Sequence, residues 1–246
     1  MPQFGLIGYP LSHSFSGTYF AKKFQKEKRT DYRYDLFPLS SIVELPDLLA
    51  EHKDLVGLNV TIPYKEQILP YLDGISERAK AIGAVNTLSI RNGKIYGDNT
   101  DVYGFEISLM NLLDKELCKG ALILGTGGAA KAVQYVLRKK NIPYQRISRK
   151  EGKGDLTYKD IDQKLLAQFP LLVNTTPLGM HPNINEAPDL PFSELKSTNK
   201  LFDLIYNPEK TLFLKYGMAK GCRTMNGLEM LVLQAEKSWE IWGANK

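Results

Sequence analysis

The chain has 246 residues, 43% hydrophobic and 24% charged, with a formal net charge of +5. That is a globular composition, long enough for one large domain or two small ones, and no apolar run is long enough to cross a bilayer. Basic residues cluster only in KKFQKEKR (22–29) and RKK (138–140), as solvated helix faces do, without the interleaved aromatics of a nucleic-acid surface. The positive balance suits an anionic small molecule. FGLIG (4–8) reads as a buried strand, followed by a loop rich in proline and serine and a helix over 18–28. YRYDLFPL (32–39) alternates as a strand, 41–52 reads as a helix that Pro46 interrupts, and LVGLNVT (55–61) is a third strand. This βαβαβ rhythm predicts a parallel sheet. Asn92-Gly93, between the runs of 86–91 and 94–99, predicts a type I′ hairpin.

A helix over 102–113 then leads into a second α/β half. Its strands are expected at 120–125, 144–148, 171–176 and 201–206, and an amphipathic helix at 227–243 closes the sequence. MPQFGLIGYP lacks the basic and apolar regions of a signal peptide. The two cysteines, Cys118 and Cys222, are too few for a disulfide framework and read as reduced thiols, so a cytoplasmic location is expected. His13, His52 and His181 show no metal-ligand spacing, and no metal is expected.

Two stretches carry chemistry. Gly125-Thr126-Gly127-Gly128-Ala129-Ala130 lies between a strand and a helix and fits the dinucleotide fingerprint G-x-G-x-x-G/A. Its first glycine makes a tight turn, its second lets the backbone approach a pyrophosphate, and the phosphates sit at the helix N-terminus. At the end of the next strand, Ser148, Arg149 and Lys150 stand where an NAD site usually has an acidic residue. An arginine there suits a 2′-phosphate, so NADP(H) is expected over NAD, although Glu151 adjoins the cluster. In the first half, Ser12, Ser14 and Ser16 precede a helix whose N-cap needs one hydroxyl. Asn59 and Thr61 end the third strand, Lys65 follows Pro63, and Asn86, Thr87 and Asp101 come later. Together they suggest a hydroxyl- and amide-rich pocket for a polyhydroxylated, anionic small ligand. The Lys65–Asp101 pair can also be read as an exposed salt bridge.

SHSFS, NVTIPYK, GAVNT, GDNTD, GTGGAA, NTTPLGM and GLEMLVLQA, in this order, closely resemble the shikimate dehydrogenase family over nearly the whole chain. The resemblance implies NADPH-dependent, reversible reduction of 3-dehydroshikimate to shikimate in aromatic amino-acid biosynthesis. It implies that Ser14 and Ser16, with Tyr206, hold the substrate carboxylate, and that Thr61, Asn86 and Gln234 bind ring hydroxyls. Lys65 and Asp101 match the catalytic pair. Residues Gly125 to Ala129 match the pyrophosphate loop, Ser148, Arg149 and Lys150 the 2′-phosphate site, and Leu204 and Gly227 the nicotinamide lining. Ser148 replaces the family's usual Asn, Lys150 replaces a small hydroxyl residue, and the chain is short for the family. The implied architecture is α/β with two domains facing each other across a cleft. Residues 1–101 plus 227–246 form the substrate-binding domain, to which the last helix returns, and 102–226 form a Rossmann-like NADP-binding domain. A monomer or homodimer is expected, with a small-molecule substrate, no nucleic acid and no membrane partner. The alternatives are an NAD-dependent quinate/shikimate dehydrogenase and a non-catalytic dinucleotide-sensing module.

Overall fold

The computed structural model of the chain describes residues 1–11, 14–114 and 116–243. The chain divides into two compact units, Met1–Thr100 with Ala235–Lys246, and Asp101–Gln234. Among the described residues no helix is long and apolar enough to cross a membrane.

The first unit runs β1 (Gln3–Gly8), α1 (Phe15–Lys26), β2 (Arg33–Pro38), α2 (Leu45–Glu51), β3 (Leu55–Val60), β4 (Gly74–Ile75), α3 (Glu77–Ile82), β5 (Thr87–Arg91) and β6 (Lys94–Asp98). Its sheet order is β2-β1-β3-β5-β6-β4. The first three strands are parallel, as the βαβαβ rhythm predicts. The sheet is mixed beyond them, because the tight hairpin forces β5 and β6 to run antiparallel and β5 pairs with β3 in that sense. Asn92 and Gly93 both have positive φ, 53° and 73°, the type I′ geometry. One sheet face packs Ile7, Leu58, Val60 and Leu88 against Leu45, Leu48 and Ile68. A second cluster is aromatic: Phe4, Phe20, Phe24, Trp239 and Trp242. Phe4 lies 5.1 Å from Trp239 and 4.9 Å from Trp242 between ring centroids. Phe20 and Phe24, four residues apart on one stripe of α1, meet the same rings. Gly57 leaves room for this packing, since a Cβ there would stand 2.4 Å from the Trp242 ring.

The second unit runs α4 (Asp101–Leu113), β7 (Ala121–Leu124), α5 (Gly128–Lys139), β8 (Tyr144–Ser148), β9 (Leu156–Thr157), α6 (Gln163–Gln168), β10 (Leu171–Asn174), β11 (Lys200–Asp203), α7 (Leu212–Ala219), β12 (Arg223–Met225) and α8 (Leu228–Ile241). Its sheet order is β12-β11-β10-β7-β8-β9, parallel throughout. Helix α8 begins in this unit, and its residues from Ala235 onward belong to the first.

Candidate active site

In the first unit the chain leaves β1 at Gly8 and reaches α1 at its N-cap, Ser14, whose side chain makes no capping bond. The Ser14 Oγ is buried and has no hydrogen-bond partner among the described residues. Ser12 and His13, the other members of that row, lie outside the described residues. Ser16 is buried on α1 and hydrogen-bonded to the Tyr34 hydroxyl.

The exit from β3 is a hydrogen-bonded turn. Thr61 N–H donates to the Ile7 carbonyl at 2.9 Å, Tyr64 N–H to the Thr61 carbonyl at 2.9 Å, and Ile68 N–H to the Tyr64 carbonyl at 2.9 Å. The buried Tyr64 hydroxyl anchors the turn by donating to the Leu39 carbonyl at 2.5 Å. The Thr61 methyl packs on Gly8, where a Cβ would lie 2.4 Å from Cγ2. Lys65 is half-buried on this turn, its carbonyl accepting from Val85 N–H at 2.8 Å. Asn59 differs from the expectation that it reaches the ligand. It is 4% exposed, and its amide faces Tyr34, Thr87 and Ser238. Side chains alternate along a strand, so the face opposite Leu58 and Val60 is the one that α8 covers. The Asn86 Oδ1 accepts from Thr100 N–H at 2.7 Å and the Thr87 hydroxyl at 3.1 Å, while its Nδ2 donates to Thr100 Oγ1 at 3.0 Å.

In the second unit β7 ends in Gly125 with φ +112°, where a Cβ would meet Thr175 Oγ1 at 2.7 Å. Thr126 follows, half-buried, and then α5 begins. Its N-cap, Gly127, has no side-chain capping bond, and the first turn carries no acidic residue. A Cβ on Gly127 would meet nothing within 4 Å, so the backbone there is open to a close approach. Gly128 is half-buried and Ala129 exposed, while Ala130 is fully buried. An uncapped helix N-terminus with free N–H groups and no carboxylate is chemically suited to a pyrophosphate.

At the end of β8 the buried Ser148 hydroxyl accepts from Lys150 N–H at 3.1 Å and shapes the turn, while Arg149 and Lys150 are exposed. The nearby carboxylate Asp155 is held by Arg146, at 3.0 and 2.7 Å. That pairing holds the Asp155 carboxyl below its ordinary range. Burial pushes the neighbouring Tyr158 hydroxyl up to about 12, against the pull of Arg149.

Past β11, the backbones of Leu204 and Gly227 touch directly. Gly227 N–H donates to the Ile205 carbonyl at 3.0 Å, and a Cβ on Gly227 would lie 2.0 Å from the Leu204 carbonyl oxygen. Tyr206 is half-buried in the same loop, and burial raises its pKa. Two further residues were not picked out from the sequence. Asp203 is fully buried and accepts from Asn174 Nδ2 at 3.0 Å, Ile205 N–H at 3.1 Å and the Thr211 hydroxyl at 2.5 Å. The available signal was a lone carboxylate inside the apolar run LFDLIY. The other is Ser238, fully buried on α8, for which no local pattern gave a signal. Gln234, buried on α8, donates from Nε2 to the Leu231 carbonyl of its own helix at 2.9 Å. Asp101 opens α4, where a negative charge complements the helix dipole.

Asp203 gives a pH-dependent expectation. Burial pushes its pKa from 3.8 up to about 6, outweighing its three hydrogen bonds. Because the folded value lies above the unfolded one, the neutral form's stabilisation is fully present below the unfolded value and is lost as pH rises through about 6. Asp203→Asn stays neutral and can keep the contacts, with Oδ1 accepting from Asn174 and Ile205 and Nδ2 donating to Thr211. Its stability relative to wild type should therefore rise between about pH 4.5 and about pH 7.5, by about 2 kcal/mol. Denaturant unfolding at the two pH values checks this, and a difference that does not change with pH would refute it.

The strand order of the second sheet, the turn at Gly125 and the bare N-terminus of α5 define a Rossmann-type dinucleotide-binding unit. Residues 6–88 match the family model described as the shikimate dehydrogenase substrate binding domain. The chain is 39% identical to the shikimate dehydrogenase (NADP(+)) of Methanococcus aeolicus, over 97% of this chain and 90% of that one. Its fold is similar to that of the shikimate 5-dehydrogenase of Thermus thermophilus, solved in complex with NADP(H) and shikimate. The TM-score is 0.85 and the identity 29%, covering 99% of this chain and 94% of that one. It is also similar to a quinate dehydrogenase of Corynebacterium glutamicum in complex with NAD, with a TM-score of 0.87, 28% identity and the same coverages of 99% and 94%. The chain belongs to the shikimate dehydrogenase family.

Proposed function

We propose that this protein catalyses the NADPH-dependent, reversible reduction of 3-dehydroshikimate to shikimate. The observation that carries this reading is kinship along almost the full chain with shikimate dehydrogenases (NADP(+)). In this reading residues 1–101 and 227–246 act on the substrate, and 102–226 bind the dinucleotide. The open backbone at Gly125 to Ala129 holds the pyrophosphate. Arg149, with Ser148 and Lys150, holds the 2′-phosphate by charge-assisted hydrogen bonds. Leu204 and Gly227 form a shelf for the nicotinamide.

The buried Ser14 hydroxyl, without a partner among the described residues, donates to the substrate carboxylate, with Ser16 and Tyr206 as further ligands. Thr61, Asn86 and Gln234 bind the ring hydroxyls. NADPH, when bound, supplies a hydride to the ketone carbon. The Lys65 ammonium stabilises the negative charge that develops on the ketone oxygen and donates the proton to it. Asp101 orients Lys65. In the oxidative direction Lys65 takes the proton back. The two thiols, Cys118 and Cys222, are free and suit a reducing compartment, so we place the reaction in the cytoplasm.

The likeness to an NAD-bound quinate dehydrogenase gives the competing reading, and Arg149 separates the two. Arg149→Ala should raise the KM for NADP by about 10–100-fold, the range of a lost charge-assisted hydrogen bond, and leave the KM for NAD nearly unchanged. Steady-state oxidation of shikimate and of quinate with each cofactor tests both points. Equal use of NAD and NADP by the wild type would favour the competing reading.

A further inference from the structure

A chain of buried polar side chains runs through the first unit, and it touches two of the proposed substrate ligands. Its polarity is fixed by two backbone groups. The Thr100 N–H lies 2.7 Å from one side of the Asn86 amide, and a backbone N–H can only donate, so that side is oxygen. The Asn86 carbonyl lies 3.3 Å from one side of the Asn59 amide, and a carbonyl can only accept, so that side is nitrogen.

The directions then follow. The Tyr34 hydroxyl, itself hydrogen-bonded to Ser16, donates to Asn59 Oδ1 at 2.8 Å. Asn59 Nδ2 donates to Ser238 Oγ at 3.0 Å. The Ser238 hydroxyl shares a hydrogen bond of 2.7 Å with Thr87 Oγ1. Thr87 in turn donates to Asn86 Oδ1 at 3.1 Å. Thr87, Thr100 and Ser238 are completely buried and Asn59 and Asn86 nearly so, so the bonds polarise one another in a low dielectric. Ser238 is the junction. It comes from α8, near the end of the sequence, and also lies 3.2 Å from the Thr100 hydroxyl, next in the chain to Asp101.

Resting on the proposed function, we infer that Tyr34 and Ser238 are positioning residues for the substrate: acting through Asn59 and Thr87, they hold the Asn86 side chain in place, its Oδ1 bound to Thr87 and the Thr100 N–H and its Nδ2 to Thr100 Oγ1. Neither residue reacts. Each steadies a ligand group through the residues between.

The test uses the full chain carrying Tyr34→Phe, Ser238→Ala or both. Tyr34→Phe keeps the ring, which stacks on Phe20 with centroids 4.5 Å apart, and removes the hydroxyl with its bonds to Asn59 and Ser16. Ser238→Ala removes the junction. Each single variant should raise the KM for shikimate by about tenfold, the scale of one broken hydrogen-bond relay, and leave the KM for NADP unchanged. The double variant should lose no more than the worse single one, because both break one relay. Loss of thermal stability with an unchanged KM for shikimate would overturn the inference, as would equal rises for both ligands or losses that multiply. The wild type is measured first. If it fails to oxidise shikimate with NADP, the proposed function fails. If it turns over and the variants keep its KM, this inference alone fails.

Discussion

Replacing Lys65 with alanine is expected to lower kcat for shikimate oxidation by about 10²–10⁴-fold and to change the KM for shikimate far less. The reason is where the loss falls. The turn that carries Lys65 is held by its own backbone and by its neighbours: the Lys65 carbonyl accepts from Val85 N–H at 2.8 Å, and the Tyr64 hydroxyl is bound to the Leu39 carbonyl. None of these bonds uses the lysine side chain, so its removal leaves the turn in place. In the proposed mechanism, what disappears is the proton donor and the positive charge facing the developing alkoxide, both felt in the transition state rather than in the bound ground state. Lys65→Arg keeps a charge but places a guanidinium that stays protonated, so it should recover little of the rate. Thermal unfolding of both variants should stay close to wild type. A Lys65→Ala enzyme with near-normal kcat would remove Lys65 from the chemistry.

Gly227→Ala is expected to cost about 3 kcal/mol of stability, the upper end for overpacking, and to abolish dinucleotide binding wherever the protein still folds. The added Cβ would stand 2.0 Å from the carbonyl oxygen of Leu204 and 2.6 Å from its carbonyl carbon. Both are backbone atoms, which no rotamer change can move aside. Either the β11 exit or the entry to α8 must shift, and the hydrogen bond from Gly227 N–H to the Ile205 carbonyl goes with it. Gly127→Ala is the contrasting case. Its Cβ meets nothing within 4 Å, so stability should hold while NADP binding falls, because the methyl takes the space a pyrophosphate needs. Thermal unfolding with and without NADP separates the two glycines. A stable Gly227→Ala protein that binds NADP normally would contradict the first expectation.

The sequence was most readable where a run of residues has one environment. Strands β1, β3, β7, β10 and β11 are buried apolar runs, and Asn92-Gly93 marked its hairpin because both residues adopt positive φ. Shorter elements escaped notice. Helix α3 has six residues, capped by the Ser76 hydroxyl and closed by Gly83 in the left-handed region, too few for a period to show. Helix α1 starts at Phe15, ahead of the expected 18, because Ser14 is its N-cap. Asn59 was misread for a different reason. A polar residue at a strand end can face a ligand or a polar partner inside the protein, and periodicity cannot tell which. Its partner, Ser238, lies on a helix far away in the sequence, and no local pattern connects them. The glycine turn was expected between a strand and a helix because its motif is written in consecutive residues, and it lies between β7 and α5.

The first unit is not continuous in sequence. Its aromatic cluster draws Phe4, Phe20 and Phe24 from the start of the chain and Trp239 and Trp242 from near its end, and the whole of Asp101–Gln234 lies between. The Trp242 indole also closes on the Leu88 carbonyl at 2.8 Å. On a ribosome, the intervening unit is made in full before the last segment of the first unit, Ala235 onward, appears. The opening hundred residues must stay without two of their largest core side chains until synthesis has passed Trp242, so the part of the molecule that is made first is the part that can complete its folding last.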